Sequence, residues 1–482
     1  MYSYSRHAGL TIAIMAFMGI LIMYVETMVI PAIPILKVDF GTNYDYLSWV
    51  ITAYVISGTI AAAIFGRLAD IYGKKRIFVI IAFVYTVSVS FGGFAQNLAE
   101  FIAVRAVQGL GMGMFPVAFA LLNDQIPKEE LPLAQGIVSS TFMGGAALGL
   151  VLGSWITQNY GWQWSYHSAI PVAIALTVLS LIFLRDSSVR MSERIDYAGV
   201  LLLSSGVLLL ILGLSEGEYL GWTSFAVVTI FLLSVALILL FIMVEMKFDQ
   251  PFISMKLLAV RNVFLSNFTG LFALSGMFFL FYTIPQLLQD PVPYGFGMSV
   301  VLSGWLMLPM ALVSMGFAPL SAVVTRRYGP KITILISTVV LFSSFLMLYL
   351  HRGTELDVLE DIVLLGVGMS FMFVGVINIL IVSSPPGGTG ASTGMNVVFR
   401  NIGTAIAVAI AGVIETMYSV TLTIGGTVLS VPTSTAFNYV YLFGMVFLGV
   451  SVIFTLLMRN VVFARTPAEG QSVIPAESAG GK

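Results

Sequence analysis

The chain has 482 residues, 58% hydrophobic and 9% charged, with a net charge of −1 and a mean hydropathy of +0.99. A soluble domain carries roughly a quarter charged residues, so water could not solvate this surface. The charge balance, with no polybasic run, argues against nucleic acid as a partner. The absence of cysteine, with only His7, His167 and His351 as histidines, excludes disulfides and thiolate chemistry and leaves no expectation of a metal or other cofactor.

Runs of about 17–25 apolar residues are expected to cross a bilayer core of roughly 30 Å as helices, which satisfy every backbone polar group internally. About fourteen such runs follow one another. They are Leu10–Ile35, Leu47–Ala69, Ile77–Phe94, Leu98–Leu122, Leu133–Trp155, Ser168–Leu184, Tyr197–Leu214, Phe225–Val244, Phe264–Leu288, Val300–Val324, Ile332–Leu350, Ile362–Val382, Met395–Val413 and Tyr439–Leu457. The first is too long for a signal-peptide core and lacks a small-residue cleavage site, so it is expected to stay as helix 1. With the N-terminus cytoplasmic, 18 of the 22 Lys and Arg residues fall in loops and tails on that side. This asymmetry is what the positive-inside rule demands, and it places both termini in the cytoplasm of a multi-pass cell-membrane protein. Lys37 and Arg352 lie on the other face, and Arg105 and Arg400 inside helices. The tail is rich in Gly, Ser, Ala and Pro and is expected to be disordered.

An offset of 256 residues aligns Trp49 with Trp305, Ala62 with Ala318, Tyr72 with Tyr328, Gly73 with Gly329 and Lys75 with Lys331. Both copies run from the second helix of a six-helix block into a short basic turn, as in a duplicated transporter. The expected organisation is an N-terminal six-helix bundle (1–184), inserted helices 7 and 8 with their linkers (185–260), a C-terminal six-helix bundle (261–458) and a cytoplasmic tail (459–482).

Within helix 1, Glu26 is the one acidic residue expected deep in the membrane; Asp290 and Glu415 fall near external ends and Glu245 near a cytoplasmic end. Glu26 lies about 24 Å from the cytoplasmic end at 1.5 Å per residue. Arg105 in helix 4 reaches a similar depth, so the two are placed to interact. A membrane-centre Arg costs at least about 2.5–3.5 kcal/mol on insertion scales and needs a partner or water. Burial raises a carboxyl pKa and a cation lowers it, so displacing Arg105 would switch Glu26 between accepting and releasing a proton. A plain structural salt bridge is the alternative.

Several stretches then carry a family resemblance. Gly66-Arg67-Leu68-Ala69-Asp70-Ile71-Tyr72-Gly73-Lys74-Lys75-Arg76, between helices 2 and 3, resembles the signature of the major facilitator superfamily in Gly66, Asp70, Gly73, Lys74 and Lys75. Ile71 stands where a basic residue is common, and the second copy has Arg326 in place of Asp70. Arg105 with Gln108, Gly109, Gly111 and Gly113 resembles the family's helix 4 pattern. Glu26-Thr27 with Ala32-Ile33-Pro34 is similar to the helix 1 signature of the fourteen-helix drug:proton antiporter branch, with Ile30 for the usual Asn and an extra Pro31. Gly136, Gly144, Gly145, Gly149 and Gly153 resemble the antiporter signature of helix 5, although Leu150 and Ser154 depart from it. Small residues for close helix packing explain the same glycines without that signature. Gly161-Trp162-Gln163-Trp164, Pro309 and Arg400-Asn401-Ile402-Gly403 also look like this branch; Arg400 is equally explained as snorkelling from a cytoplasmic end.

The resemblance implies an all-α major facilitator fold of two six-helix bundles plus two inserted helices, rocking about a midplane cavity. It implies no enzyme but a proton-coupled exporter of small hydrophobic or cationic compounds, a multidrug efflux antiporter. The roles it assigns are proton coupling by Glu26 and Arg105, a substrate cavity at Glu26, Tyr54, Gln108, Met112 and Asn378, and a cytoplasmic latch at Gly66, Asp70, Gly73, Lys74 and Lys75. The expected partners are a small-molecule substrate, protons and membrane lipid, with a monomeric chain to which an accessory export protein can be added. A proton-coupled carrier of one metabolite or siderophore is the alternative. A polytopic enzyme would need clustered intramembrane His or Asp residues, and the helices offer none. No phosphate-cradling loop ending in Gly-Lys-Ser/Thr is present, so ATP does not drive transport by this chain alone.

Overall fold

The computed structural model describes residues 6–126, 131–185, 196–249, 251, 255–384, 389–424, 427–459, 461–463 and 473–475. Among the described residues, 13 helices are long and apolar enough to cross a membrane. The remaining expected span, Leu133–Trp155, forms the continuous 30-residue helix α7 (Leu131–Tyr160), several of whose side chains lie outside the described residues.

Helix 1 is interrupted where the sequence places its prolines. It runs as α1 (Arg6–Thr27), a 3-10 turn (Ile30–Ala32) and α2 (Ile33–Asp39). Pro31 and Pro34 have no N–H to donate, and each ring crowds the carbonyl four residues back. Helices α3 (Tyr44–Tyr72) and α4 (Lys74–Gly92) follow. Helix 4 is likewise segmented into α5 (Leu98–Gly109), a 3-10 turn (Leu110–Gly113) and α6 (Met114–Gln125), with three glycines and Pro116 loosening and tightening the same stretch. Then come α8 (Trp162–Phe183), α9 (Tyr197–Leu220), α10 (Phe225–Glu245), the one-turn α11 (Met255–Leu258), α12 (Arg261–Gln289), α13 (Val300–Tyr328), α14 (Pro330–Leu350), α15 (Glu355–Ser383), α16 (Thr389–Met417) and α17 (Ser434–Leu457).

The internal repeat is visible in the backbone. Both α3 and α13 have 29 residues and end on glycines with positive φ, Gly73 at 105° and Gly329 at 90°. A side chain would be strained there, so the matching glycines follow from the shared turn. In the N-terminal half α1 packs on α7 and α8, α3 on α5, and α4 on α8; in the C-terminal half α12 packs on α16 and α17, and α14 on α15. Two contacts seal the seam between halves, α3 against α16 and α7 against α13. The 256-residue offset exchanges one of these contacts with the other, as a two-fold repeat requires.

The inserted pair α9 and α10 pack on each other, and α9 lies over the α3–α16 edge of the seam. There Val207 and Ile211 bury against Ala405 and Ala409, beside Trp49 and Ile56. Outer faces are apolar, with Phe225 88%, Leu201 66% and Phe83 62% exposed, which suits contact with lipid tails. Buried hydroxyls bond to carbonyls of their own helix, as Thr59 does to Val55, or of a neighbour, as Ser337 does to Gly368 at 2.6 Å.

One end of the seam is closed by polar contacts. Lys37 lies 3.9 Å from Asp290 and donates to the Ser430 carbonyl at 2.6 Å. The Tyr44 hydroxyl donates to Asp290 at 3.0 Å, and Gln289 donates to the Pro31 carbonyl at 2.8 Å. Ser430 belongs to a hairpin between α16 and α17, β1 (Ser419–Ile424) paired antiparallel with β2 (Thr427–Pro432), which hydropathy did not signal. Most of the tail expected to be disordered lies outside the described residues; within it Val461–Phe463 pairs antiparallel with Val473–Pro475.

Candidate functional site

The residues with the most unusual chemistry meet where helix 1 breaks. Arg105 is completely buried on α5. Its Nε donates to the Val50 carbonyl at 3.1 Å, and Nη1 donates to the Val25 carbonyl and the Gln108 side chain, each at 3.2 Å. Its guanidinium lies 4.2 Å from the centre of the Tyr54 ring. Val25 is in the last turn of α1, where the interruption leaves carbonyls without intrahelical donors, so Arg105 supplies a hydrogen bond and a compensating charge to that helix end. Gln108 passes the network on, donating to the Ser88 carbonyl of α4 at 3.3 Å. One arginine thereby ties together α1, α3, α4 and α5.

The expected contact between Glu26 and Arg105 takes a looser form. The two make no ion pair within 4.0 Å, although Arg105 is close enough for its charge to act on Glu26. The guanidinium is oriented by backbone carbonyls instead, and one Glu26 oxygen, Oε2, is buried without a hydrogen-bond partner. Three tyrosines from three helices, Tyr54, Tyr85 and Tyr166, are buried around the arginine, and the hydroxyls of Tyr54 and Tyr85 also lack partners. Gln108 and Tyr54, expected on a cavity wall, are completely buried in this cluster. Met112 is half-buried and packs on Gly58, while Asn378, half-buried on α15, donates to the Val374 carbonyl at 2.8 Å in the other half.

The glycines of the helix 4 pattern admit this crowding. A Cβ at Gly109 would lie 2.2 Å from the Tyr54 carbonyl, one at Gly111 2.3 Å from the Tyr85 ring, and one at Gly113 3.0 Å from the Ala61 carbonyl. Helix 5 does the same for helix 1. Gly145, Gly149 and Gly153 face Ile20, Tyr24 and Met28, and Thr27 donates to the Ala146 carbonyl at 3.0 Å. Gly144 has open space instead. Ser154 and the Leu150 carbonyl, at the two positions that depart from the helix 5 signature, abut Gly304 of α13 across the seam.

In the turn between α3 and α4, Gly73 caps both helices. Lys74 forms an ion pair with Asp124 at the end of α6, a partner the sequence did not single out. Gly66 approaches Pro116, and the side chain of Asp70 lies outside the described residues. In the second copy Lys331 donates to the carbonyls of Leu456 and Met458, so there the basic residue caps α17. The Trp162 indole donates to Asp39 at 2.9 Å and is buried among Phe40, Phe101 and Tyr166, which anchors the end of helix 1. Glu415, placed near an external end by sequence, is completely buried beside Gln286, and Asp361 is buried with neither oxygen hydrogen-bonded. Their depth depends on which helices surround them, and no local pattern signals that.

The sequence model of the Major Facilitator Superfamily matches residues 15–408. The multidrug transporter protein MdtP of Bacillus subtilis is 27% identical over 80% of this chain and 72% of its own length. The tetracenomycin C resistance and export protein of Streptomyces glaucescens is 26% identical over 81% of this chain and 72% of its own. Among solved structures, the POT family transporter PepTSo superposes with a TM-score of 0.69 at 14% identity, covering 94% of this chain and 98% of that one. The xylose transporter XylE of E. coli in a partially occluded inward-open conformation gives a TM-score of 0.64 at 11% identity, over 94% and 98% of the two chains.

Proposed function

The chain belongs to the Major Facilitator Superfamily, and on that premise we propose that it exports small hydrophobic or cationic compounds from the cell by proton antiport. The divisions at 1–184, 185–260 and 261–458 are then two rocking bundles and an insert, with both termini cytoplasmic. In that orientation the Lys37–Asp290 contacts close the external end, and substrate enters from the cytoplasm. The relatives that are named for multidrug transport and for resistance and export of an antibiotic support the class of cargo and the direction.

The observation that carries the coupling is Glu26. Its Oε2 is buried without a partner in the last turn before the break in helix 1, beside an arginine whose hydrogen bonds hold carbonyls of α1 itself and of α3. A proton arriving at Glu26 alters the charge felt by Arg105, and any movement of Arg105 pulls on α1 and α3 together. Moving one proton across 100 mV supplies about 2.3 kcal/mol, enough for nearly fifty-fold concentration. Turns such as Gly66–Lys75, with Asp70 near its centre and Lys74 tied to Asp124, act as the cytoplasmic latch.

The test is Glu26→Gln in proteoliposomes with an imposed pH gradient and a lipophilic cationic dye. Wild type is expected to accumulate the dye and the variant to lose gradient-driven accumulation while still binding it. Unchanged accumulation would remove Glu26 from the mechanism. Broad mutual inhibition by unrelated compounds would separate multidrug export from a carrier of one metabolite.

A further inference from the structure

The two arginines inside the helices differ in what holds them. Arg105 is surrounded by acceptors, whereas among the described residues no hydrogen bond and no ion pair reaches Arg400 on α16, and its Nε is buried without a partner. Its guanidinium lies 4.6 Å from the centre of the Phe373 ring of α15. Its stem passes over Gly270 of α12, where a Cβ would stand 3.2 Å from Arg400 Cγ. The side chain is therefore held between α12 and α15, inside the C-terminal half, and does not snorkel along the outside of the bundle. Asn396, which also lies against Gly270, donates to Asn267 at 3.3 Å rather than bonding to Arg400. The stretch 383–394 that leads into α16 contains no acidic residue.

The residue as a whole is only partly buried, so its Nη atoms reach accessible space while Nε does not. That space is not the closed end. Thr416, 16 residues further along α16, accepts from the Asp45 amide in the seam, which puts Arg400 about 24 Å down the helix from those contacts. A cation with no counter-charge in apolar surroundings is costly, and the cost is relieved by an anion presented in bidentate fashion.

We propose that Arg400 is an anion-recognition residue: the carboxylate or sulfonate of an amphiphilic substrate docks on its guanidinium, with the apolar part of the molecule against Phe373. The proposal rests on the reading of this chain as a small-molecule transporter and widens its cargo from hydrophobic and cationic compounds to amphiphiles bearing an anionic group. The headgroup phosphate of an anionic lipid has the same chemistry, and the test separates the two sources.

The probes are a xanthene dye with a free carboxylate and its methyl ester, identical in ring system. Equilibrium binding to the purified full chain in neutral phosphatidylcholine nanodiscs is expected to favour the carboxylate by roughly tenfold or more, the usual worth of a charge-assisted hydrogen bond. Arg400→Gln should bring that ratio to about one, and Arg400→Lys, which keeps the charge, should restore part of it. A ratio near one in wild type, or a ratio unchanged in Arg400→Gln or lost equally in Arg400→Lys, overturns the proposal. Displacement of the carboxylate dye by phosphatidylglycerol in the nanodisc assigns the site to lipid and overturns it as a substrate site. Binding needs no gradient, so an Arg400-dependent preference without dye accumulation in proteoliposomes would sink proton-driven export and leave this inference standing.

Discussion

Lowering the pH from 7 to 5 on the face that carries Asp290 is expected to favour the closed seam by about tenfold. Asp290 caps the end of α12, is 4% exposed, and faces Lys37 and Tyr44, with Glu415 close enough to feel its charge. Burial pushes its carboxyl from the ordinary 3.8 up to about 6, against the pull of Lys37 and the Tyr44 hydroxyl. When the seam opens and Asp290 meets water, its pKa returns toward the ordinary value. The closed form therefore binds a proton more tightly, so closure costs most above about pH 6, where Asp290 is charged in both forms, and becomes easier as pH falls toward 4. Between pH 7 and 5 the difference is about 1.4 kcal/mol, or a factor of about ten in the closed-to-open ratio. The chain has no cysteine, so Tyr160→Cys with Leu350→Cys, exposed positions in the two halves at 60% and 58%, can carry a distance-reporting label pair without background. The short-distance population should rise as pH falls below about 6 and level off near 4, and Asp290→Asn should flatten the profile. A population that is constant, or that rises with pH, would refute the reasoning.

The glycine contacts give a steric prediction. Gly109→Ala drives a Cβ to 2.2 Å from the Tyr54 carbonyl, backbone that cannot rotate away, and should destabilise the protein by about 1–3 kcal/mol. Gly144→Ala, with open space around it, should change stability little; equal thermal-unfolding midpoints for the two variants in detergent would contradict the packing. Lys74→Ala, Asp124→Ala and the double variant form a cycle whose coupling should be about 0.5–3 kcal/mol, since the pair is only 10% and 20% exposed and so weakly screened by water and salt. Zero coupling would show that the ion pair contributes nothing to holding the turn.

How much the sequence reveals differs from residue to residue. Lys75 and Lys331 align at the 256-residue offset, and Gly73 and Gly329 share a positive φ, because the same turn demands the same residue. The role of Lys331 as a cap for α17 is not legible, because Leu456 and Met458 stand 125 and 127 residues away. Glu26 and Arg105 are legible as costly intramembrane charges. Their arrangement is not, because Arg105 takes its acceptors from the broken end of α1 and from Val50 of α3, and only docked helices bring those carbonyls within reach. Glu415 stands near a helix end as the sequence places it, in the last turn of α16, but its complete burial is not legible, because burial depends on what stands beside it.

The sequence by itself determined the membrane class, the succession of apolar spans and the two-fold repeat, with its glycine turns and the costly charges inside its helices. These follow from hydropathy, insertion cost and backbone sterics, which act over one helix or one turn at a time. Tertiary structure alone decided which charges have partners: Arg105 satisfied by carbonyls of two helices, Lys37 set against Asp290 across the seam, and Arg400 left over Phe373 with none among the described residues. A side chain in the membrane takes its energy from whatever atoms neighbouring helices present to it, and that depends on the packing of segments far apart in the chain.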